Sequence, residues 1–246
     1  VYVVDVDSQL FAFDVNTGSP TWTYRGIAEP VRVLRASSPA VSGETVVAPF
    51  ASGQLVALRA NNGQPVWEAT LSNTSRTSAL SEVRDIAGRP VISRGMVYGV
   101  SHSGQMSAVD LRSGQARWQL PIVGVNAPLP VGDAVYVVSK AGELIVANRD
   151  TGQIYWTREL NEGRARKVGG FLGLFDREIT PQWSGPILAS NRLVMVNSFG
   201  EAAALDPKTG AIQTTLNLGA PAYIAPSAYN GALYVLTDSG QLICIR

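Results

Sequence analysis

Residues able to do chemistry are sparse in this chain, and few stand at spacings that catalysis uses. The single histidine, His102, lies in VSHSGQ between two apolar runs, and no second imidazole exists to share a metal ion with it. An exposed turn histidine is the expectation. The single cysteine, Cys244, leaves no partner for an internal disulfide. It falls in line with Ala12, Ala57, Ala108, Val146 and Ala204, which predicts a small core residue rather than a nucleophile. Asp5 and Asp7 form one D-x-D near a strand end, without the glycine and glutamate of a dedicated calcium loop. The chain has no G-x-S-x-G, no phosphate-binding loop and no dinucleotide fingerprint. The expectation is a protein without metal, redox cofactor or catalysis, whose work is binding.

Two stretches mix charge with apolar side chains in the way a protein-binding surface does. The first, Thr23 to Ser38, contains Arg32, Val33, Leu34 and Arg35; the second, Glu68 to Arg89, ends acidic with Glu82 and Asp85. A third, Thr157 to Gly185, holds GRARKVGGFLGLF and then PQW. Its Phe171, Leu172, Leu174 and Phe175 could not all face water comfortably. Either they pack back onto the body or its channel, or they form a secondary contact loop for a partner or a membrane, with Arg164, Arg166 and Lys167 beside it. From Gly163 to Trp183 this insert reads as the least regular segment of the chain.

A repeat must position these stretches. AFDVNTGSPTW (Ala12 to Trp22) recurs as ALRANNGQPVW (Ala57 to Trp67), AVDLRSGQARW (Ala108 to Trp118), VANRDTGQIYW (Val146 to Trp156) and, decayed, ALDPKTGAIQT (Ala204 to Thr214). An Asp or Asn side chain can accept backbone N–H groups just ahead and hold a tight turn. The glycine supplies the positive φ of a bulged hairpin loop, and the Trp sits on the returning strand. Tip glycines Gly53, Gly104, Gly142 and Gly200, with Ser8 in the first copy, each precede the turn glycine by ten residues; Gly240 is the tip of the last copy. Pro39, Pro90, Pro128, Pro186 and Pro226 each precede the tip glycine by fourteen. All length variation falls between Trp and the next Pro.

Within this frame four strands, A to D, can be read, giving an all-β fold of four-stranded antiparallel blades, a β-propeller. The first copy has B, C and D; the last has A, B and C. About six blades are present of an expected eight-bladed ring, with 1–246 as a single domain and further N-terminal blades preceding Val1. Antiparallel strands send A–B and C–D turns to one face and the variable D–A connections to the other. From Trp to the next Pro the intervals are 17, 23, 10 and 30 residues, then 12 from Thr214. Loops of irregular length on a rigid scaffold are where recognition is built, so the D–A face is the expected binding face. The Trp column reads as blade-to-blade packing rather than a platform for a ligand.

Composition agrees. Of 246 residues 46% are hydrophobic, with 24 Gly, 14 Pro and a net charge of +1, a turn-rich globular make-up with no pull toward nucleic acid. No apolar run approaches the roughly 18 residues of a spanning helix.

The frame AxDxxTGxxxW resembles the quinoprotein-type propeller repeat over essentially the whole chain. Quinone-dependent dehydrogenases of that kind carry calcium-binding carboxylates and, in many members, adjacent cysteines, neither of which is recognisable here. The stretches LSEVRD, RPVISRGMVYGVSHSGQMSAVDLRSGQARW, VRVLR and GALYVLTDSGQLICIR resemble instead the BamB family of outer-membrane assembly lipoproteins. That resemblance implies the last six blades of a non-enzymatic scaffold of the Bam complex. It also implies a place on the periplasmic face of the outer membrane, held by a lipidated N-terminal cysteine that this chain does not contain. The family's contact with a POTRA domain of BamA falls on Leu34 and Arg35, with Arg32 where the family has its first Leu. Glu82 takes the place of the first acid, and the second is either Arg84 by count or Asp85 by chemistry. Nascent outer-membrane proteins are further implied partners. The alternative is a fragment of a pyrroloquinoline-quinone-dependent dehydrogenase.

Overall fold

In the complete copies strand B is a nearly continuous apolar run, MVYGV for example, and strands B and C are buried along most of their length, so they must be covered on both sides. The computed structural model describes residues 1–27, 37–71, 86, 88–169 and 177–246, and every regular element among them is a β-strand. The first sheet has three strands, β1 (Tyr2–Val4), β2 (Gln9–Phe13) and β3 (Pro20–Arg25). The second has four, β4 (Ala40–Ser42), β5 (Thr45–Pro49), β6 (Gln54–Arg59) and β7 (Pro65–Thr70). The third is β8 (Val91–Ser93), β9 (Met96–Val100), β10 (Met106–Asp110) and β11 (Ala116–Leu120). The fourth is β12 (Leu129–Val131), β13 (Ala134–Val138), β14 (Glu143–Asn148) and β15 (Ile154–Glu159). After a two-stranded ribbon, β16 (Arg166–Val168) and β17 (Arg177–Ile179), comes the fifth sheet: β18 (Trp183–Ala189), β19 (Arg192–Asn197), β20 (Glu201–Leu205) and β21 (Ile212–Asn217). The sixth holds β22 (Ser227–Tyr229), β23 (Ala232–Leu236) and β24 (Leu242–Ile245). Every sheet is a meander in chain order, so the four-strand frame and the short first and last copies are as the sequence predicts.

The repeated turn makes a bulge. Ala108 faces Trp118 across β10 and β11, but Val109 faces Ala116, leaving one residue extra. The same slip occurs at Ala12/Phe13, Ala57/Leu58 and Ala204/Leu205. The turn glycine beyond the slip has a left-handed φ, +74° at Gly114, which places a bulged loop on the twist of its strands.

That turn is the seat of the preceding sheet's Trp. Trp22 Nε1 donates to the Ala60 carbonyl at 3.0 Å, Trp67 to Leu111 at 2.7 Å and Trp118 to Arg149 at 2.9 Å. In three sheets a Tyr hydroxyl goes to the same class of carbonyl: Tyr2 to Ala60 at 3.0 Å, Tyr98 to Arg149 at 3.4 Å and Tyr136 to Pro207 at 3.0 Å. The indole lies on the turn glycine. A Cβ added at Gly114 would come 2.7 Å from Trp67, and one at Gly63 would come 2.5 Å from Trp22. A Cβ at Gly18, whose turn receives no Trp, meets nothing within 4 Å. Arg149 reinforces its own turn from within: it is buried, and its guanidinium donates to the carbonyls of Gly132 and Ser93 and to Ser93 Oγ.

The chain divides into two compact units, Val1–Val135 with Ala147–Gln153, and Tyr136–Val146 with Ile154–Arg246. In the first, one core cluster joins Leu10 to Val46, Phe50, Val56 and Leu58, and another joins Leu55, Trp67 and Leu71 to Val97 and Val109. In the second, Val196, Ala202 and Leu218 pack with Ala222 and Val235.

Three expectations are corrected. The Gly163 to Trp183 insert contains regular structure, with Arg166 opposite Ile179 and Val168 opposite Arg177. Strands as short and charged as RKV and REI carry no apolar alternation to announce them. Cys244 pairs with Tyr234 in the column expected of it, yet it is exposed, because no fourth strand lies beside β24 among the described residues. His102 is half-buried rather than an exposed turn residue. Phe171, Leu172, Leu174 and Phe175 lie outside the described residues.

Replacing Gly18 with Ala should cost about 1–2 kcal/mol, the strain of a left-handed Ala alone. Gly114→Ala should cost clearly more, because Trp67 must also move off its seat. Trp118→Ala should cost about 3–5 kcal/mol, as for a large ring removed from a packed site. Urea unfolding of the three variants measures this order, and equal losses for the two glycines would show that the indole contact is not structural.

Candidate binding face at the D–A connections

The two ends of each sheet are tied differently. At one end the C–D turn bonds to the A–B turn: Ala60 N to Glu44 O at 2.8 Å, Leu111 N to Gly95 O at 2.9 Å. At the other, the exit from strand D bonds to the B–C tip: Gly26 N to Ser8 O at 2.8 Å, Leu71 N to Gly53 O at 2.7 Å. Ser8 holds φ 58° where other copies have a tip glycine. Both long connections of the first unit therefore leave from the B–C end.

Arg32, Val33, Leu34, Arg35, Glu82 and Asp85 lie outside the described residues; what surrounds them in sequence is described. Entry to the first connection is fixed by Gly26, which presses on the Phe50 ring so closely that a Cβ would come 2.9 Å from it. Ile27, next in sequence, is 55% exposed. Entry to the second is fixed by the fully buried Leu71. Its exit is pinned by Ile86, which follows Asp85 in sequence and is buried with Val47, Leu55, Trp67 and Val97. Gly88 then meets the backbone of the next connection, where a Cβ would stand 2.6 Å from the Asn126 carbonyl oxygen. Arg89 is exposed and Pro90 buried.

The two connections share their surroundings. Tyr24, near the end of β3, donates its hydroxyl to Glu68 Oε1 on β7 at 3.2 Å. Burial first, then the Glu68 charge and hydrogen bond, raises the Tyr24 pKa above its ordinary 10.0, so the phenol stays a donor at neutral pH. Where the connections return, Pro39–Val41 and Arg89–Ile92 form the two walls of a groove of about 260 Å³. A groove of mixed polar and apolar surface with one exposed guanidinium suits a polypeptide surface.

The arrangement offers little for catalysis. Among the described residues no three His, Cys, Asp or Glu side chains gather as a metal site. Asp5 is a turn residue, its Oδ1 accepting the Asp7 N–H at 2.9 Å and the Gln9 N–H at 2.8 Å.

The family model described as "Outer membrane protein assembly factor BamB" matches residues 1–158, more than half of the 246. The chain belongs to the BamB family. BamB of Alkalilimnicola ehrlichii is similar, 32% identical over 162 residues that make up 64% of this chain and 42% of that protein. The crystal structure of BamB from Moraxella catarrhalis shares the fold with a TM-score of 0.83 at 22% identity, covering 99% of this chain and 68% of that one. Quinohemoprotein alcohol dehydrogenase from Comamonas testosteroni is a fold neighbour with a TM-score of 0.64 at 16% identity, covering 99% of this chain and 44% of that one. This BamB-family chain spans about half the length of the curated relatives it matches.

Sequence reasoning found the charged candidates in these connections but not the anchors. Ile86, Gly88 and the Tyr24–Glu68 bond are single residues in variable stretches, with no period to reveal them.

At the opposite end of the BamB-family repeat the turn carboxylates are strongly held. Asp110 Oδ1 accepts the N–H groups of Arg112 and Ser113 at 3.1 and 3.0 Å, and Oδ2 meets Arg117 at 3.1 Å. The Arg117 bond first, then those of Ser113, lowers the Asp110 pKa from 3.8 to about 2. Asp14 and Asp206 are also lowered, chiefly by backbone N–H groups of Thr17 and Lys208. A carboxyl depressed on folding stabilises above its unfolded pKa and ceases to as pH falls through the folded one. Asn148 already fills this position in the fourth copy, accepting from Asp150 N and Thr151 N at 2.9 Å, so Asp110→Asn keeps the turn. The variant should melt below the parent at neutral pH, and the gap should close between 3.8 and about 2. Thermal melts across that range test it; a gap independent of pH would assign the loss to something other than the charge.

Proposed function

We propose that this chain is the propeller body of a BamB-type scaffold subunit of the outer-membrane β-barrel assembly (Bam) complex, working without catalysis on the periplasmic face of the outer membrane. In this reading 1–246 forms one propeller domain, six blades of an eight-bladed ring, and a lipid anchor outside the chain holds it at the membrane. The connections of 23–38 and 68–89 dock a POTRA domain of BamA, Leu34 filling an apolar pocket and Arg35 meeting carboxylates or strand-edge carbonyls with its planar fork. Glu82 and Asp85 supply the acidic half of the surface. Nascent outer-membrane proteins are a second class of partner.

One observation carries this reading beyond family membership. The two connections leave neighbouring sheets at the same end, and their returns share the groove between Pro39–Val41 and Arg89–Ile92. The burial of Ile86 and the close approach of Gly88 to Asn126 support a second connection with a fixed exit beside Asp85.

Titration calorimetry with a BamA POTRA domain is the test, each variant first shown to be fully folded at the titration temperature. Arg35→Glu should weaken binding by about 2 kcal/mol or more if it is a hot spot, Asp85→Ala moderately, and Asp110→Asn, at the opposite end, not at all. Full-strength binding by folded Arg35→Glu would sink the assignment of this face. For the dehydrogenase alternative, pyrroloquinoline quinone added with calcium should leave absorbance and activity unchanged; stoichiometric uptake would overturn the scaffold reading.

A further inference from the structure

The longest interval between frames, 30 residues from Trp156 to Pro186, builds a concave site that the docking surface above does not use. After β15 the chain turns, Arg164 N donating to Asn161 O at 2.9 Å, and enters β16. Two arginines here are laid on aromatic rings. The Arg164 guanidinium carbon lies 5.6 Å from the Trp183 ring centroid, and that of Arg166 lies 4.2 Å from Phe199.

Phe199 is in the B–C tip of the fifth sheet, and this tip is firmly held. Asn197 is fully buried; its Oδ1 accepts the N–H groups of Phe199 at 2.9 Å and Glu201 at 3.2 Å, and its Nδ2 donates to Glu201 Oε2 at 3.1 Å. Between residues 162–166 on one side and Phe199 with Glu201 on the other lies a cavity of about 460 Å³.

The two arginines differ in what they have left to give. Arg164 donates from one guanidinium nitrogen to Glu201 Oε2. Arg166 is exposed, with its ring contact to Phe199, and its side chain makes no ion pair or hydrogen bond among the described residues. Stacking uses the face of a guanidinium and leaves its N–H edge free for a planar acceptor, and a ring that fixes the side chain lowers the entropy lost on binding. The Arg164–Glu201 pair shows within the same pocket the bond that Arg166 can offer to a visitor. Glu162, exposed on the rim, repels a second negative charge, so the pocket suits one carboxylate rather than a polyanion. The ribbon above it exposes Lys167, Val168, Arg177 and Glu178 on two short strands, a surface suited to an extended polypeptide.

We propose that the base of the β16–β17 ribbon is a second protein-docking site, taking an Asp or Glu side chain of an extended partner segment on the Phe199-stacked Arg166. It is independent of the POTRA reading and can hold whether or not that reading does.

The test uses the whole chain, ¹⁵N-labelled, with the extended probe peptide acetyl-TVEVTVEVT-amide and its counterpart carrying Gln for Glu. The acidic peptide should bind by fluorescence polarisation and move the Arg166 Nε–Hε resonance, and the Gln peptide should bind about tenfold more weakly. Arg166→Gln should lose the difference between the peptides. Because that change could also release the ribbon from Phe199, Arg166→Lys is the second variant: it keeps the charge, lacks the planar fork, and should also discriminate poorly. Equal binding of both peptides to the parent, undiminished discrimination by Arg166→Lys, or no binding of the acidic peptide would each overturn the proposal.

Discussion

The first four sheets of this protein depend on one joint: an indole N–H that reaches out of its own sheet to a main-chain carbonyl in the next sheet's turn. A four-stranded sheet of this length cannot cover its own faces, because its middle strands are apolar on both sides. Neighbours must therefore meet at a fixed height and angle. The joint fixes both, since the indole must satisfy its hydrogen bond at Ala60, Leu111 or Arg149 while lying on the glycine three residues later. The bulge and the Asx turn serve the same end by presenting that carbonyl and that glycine together.

Because position is fixed at the turn end, length can vary at the other. The connections toward the B–C end range from 10 to 30 residues in the sequence without disturbing the frame. Among the described residues their variety is constrained at points of close contact, such as Gly26 on Phe50, Ile86 in the core and Gly88 on Asn126. The insert before the fifth sheet follows the same logic with polar chemistry, its arginines resting on the rings of Trp183 and Phe199.

How much of this was legible in the sequence depends on the range of the interaction. The Pro, tip-glycine, turn-glycine and Trp intervals are local, and they located the strands of every copy. The seat of each Trp was not legible, because Trp67 and Gly114 are joined by folding and by nothing in their local spacing. The ribbon was missed because Arg166, Lys167 and Arg177 look like loop residues, and the ring that Arg166 rests on is Phe199, far along the chain. Cys244 was placed in the correct column but given the wrong burial, since a column predicts pairing with Tyr234 and not the presence of a strand on its other side. For the candidate surface, the sequence marked charges and apolar residues but not the anchors, which are single residues without a period.

The joint also has a direction. Where the joint is made, a sheet gives its Trp forward to the turn of the next, so the damage from a turn substitution appears one repeat upstream of the change. Altering the turn at Gly114 disturbs the anchorage of the second sheet, which owns Trp67, and leaves the third sheet's own hold through Trp118 on Arg149 in place. The side chain of the carbonyl-bearing residue differs among Ala60, Leu111, Arg149 and Pro207, because the joint itself uses only the main chain, although Arg149 adds side-chain bonds of its own. Tolerance and fragility thus sit three residues apart in each turn that receives a Trp, a pattern that comparing repeats by side-chain type alone would misassign.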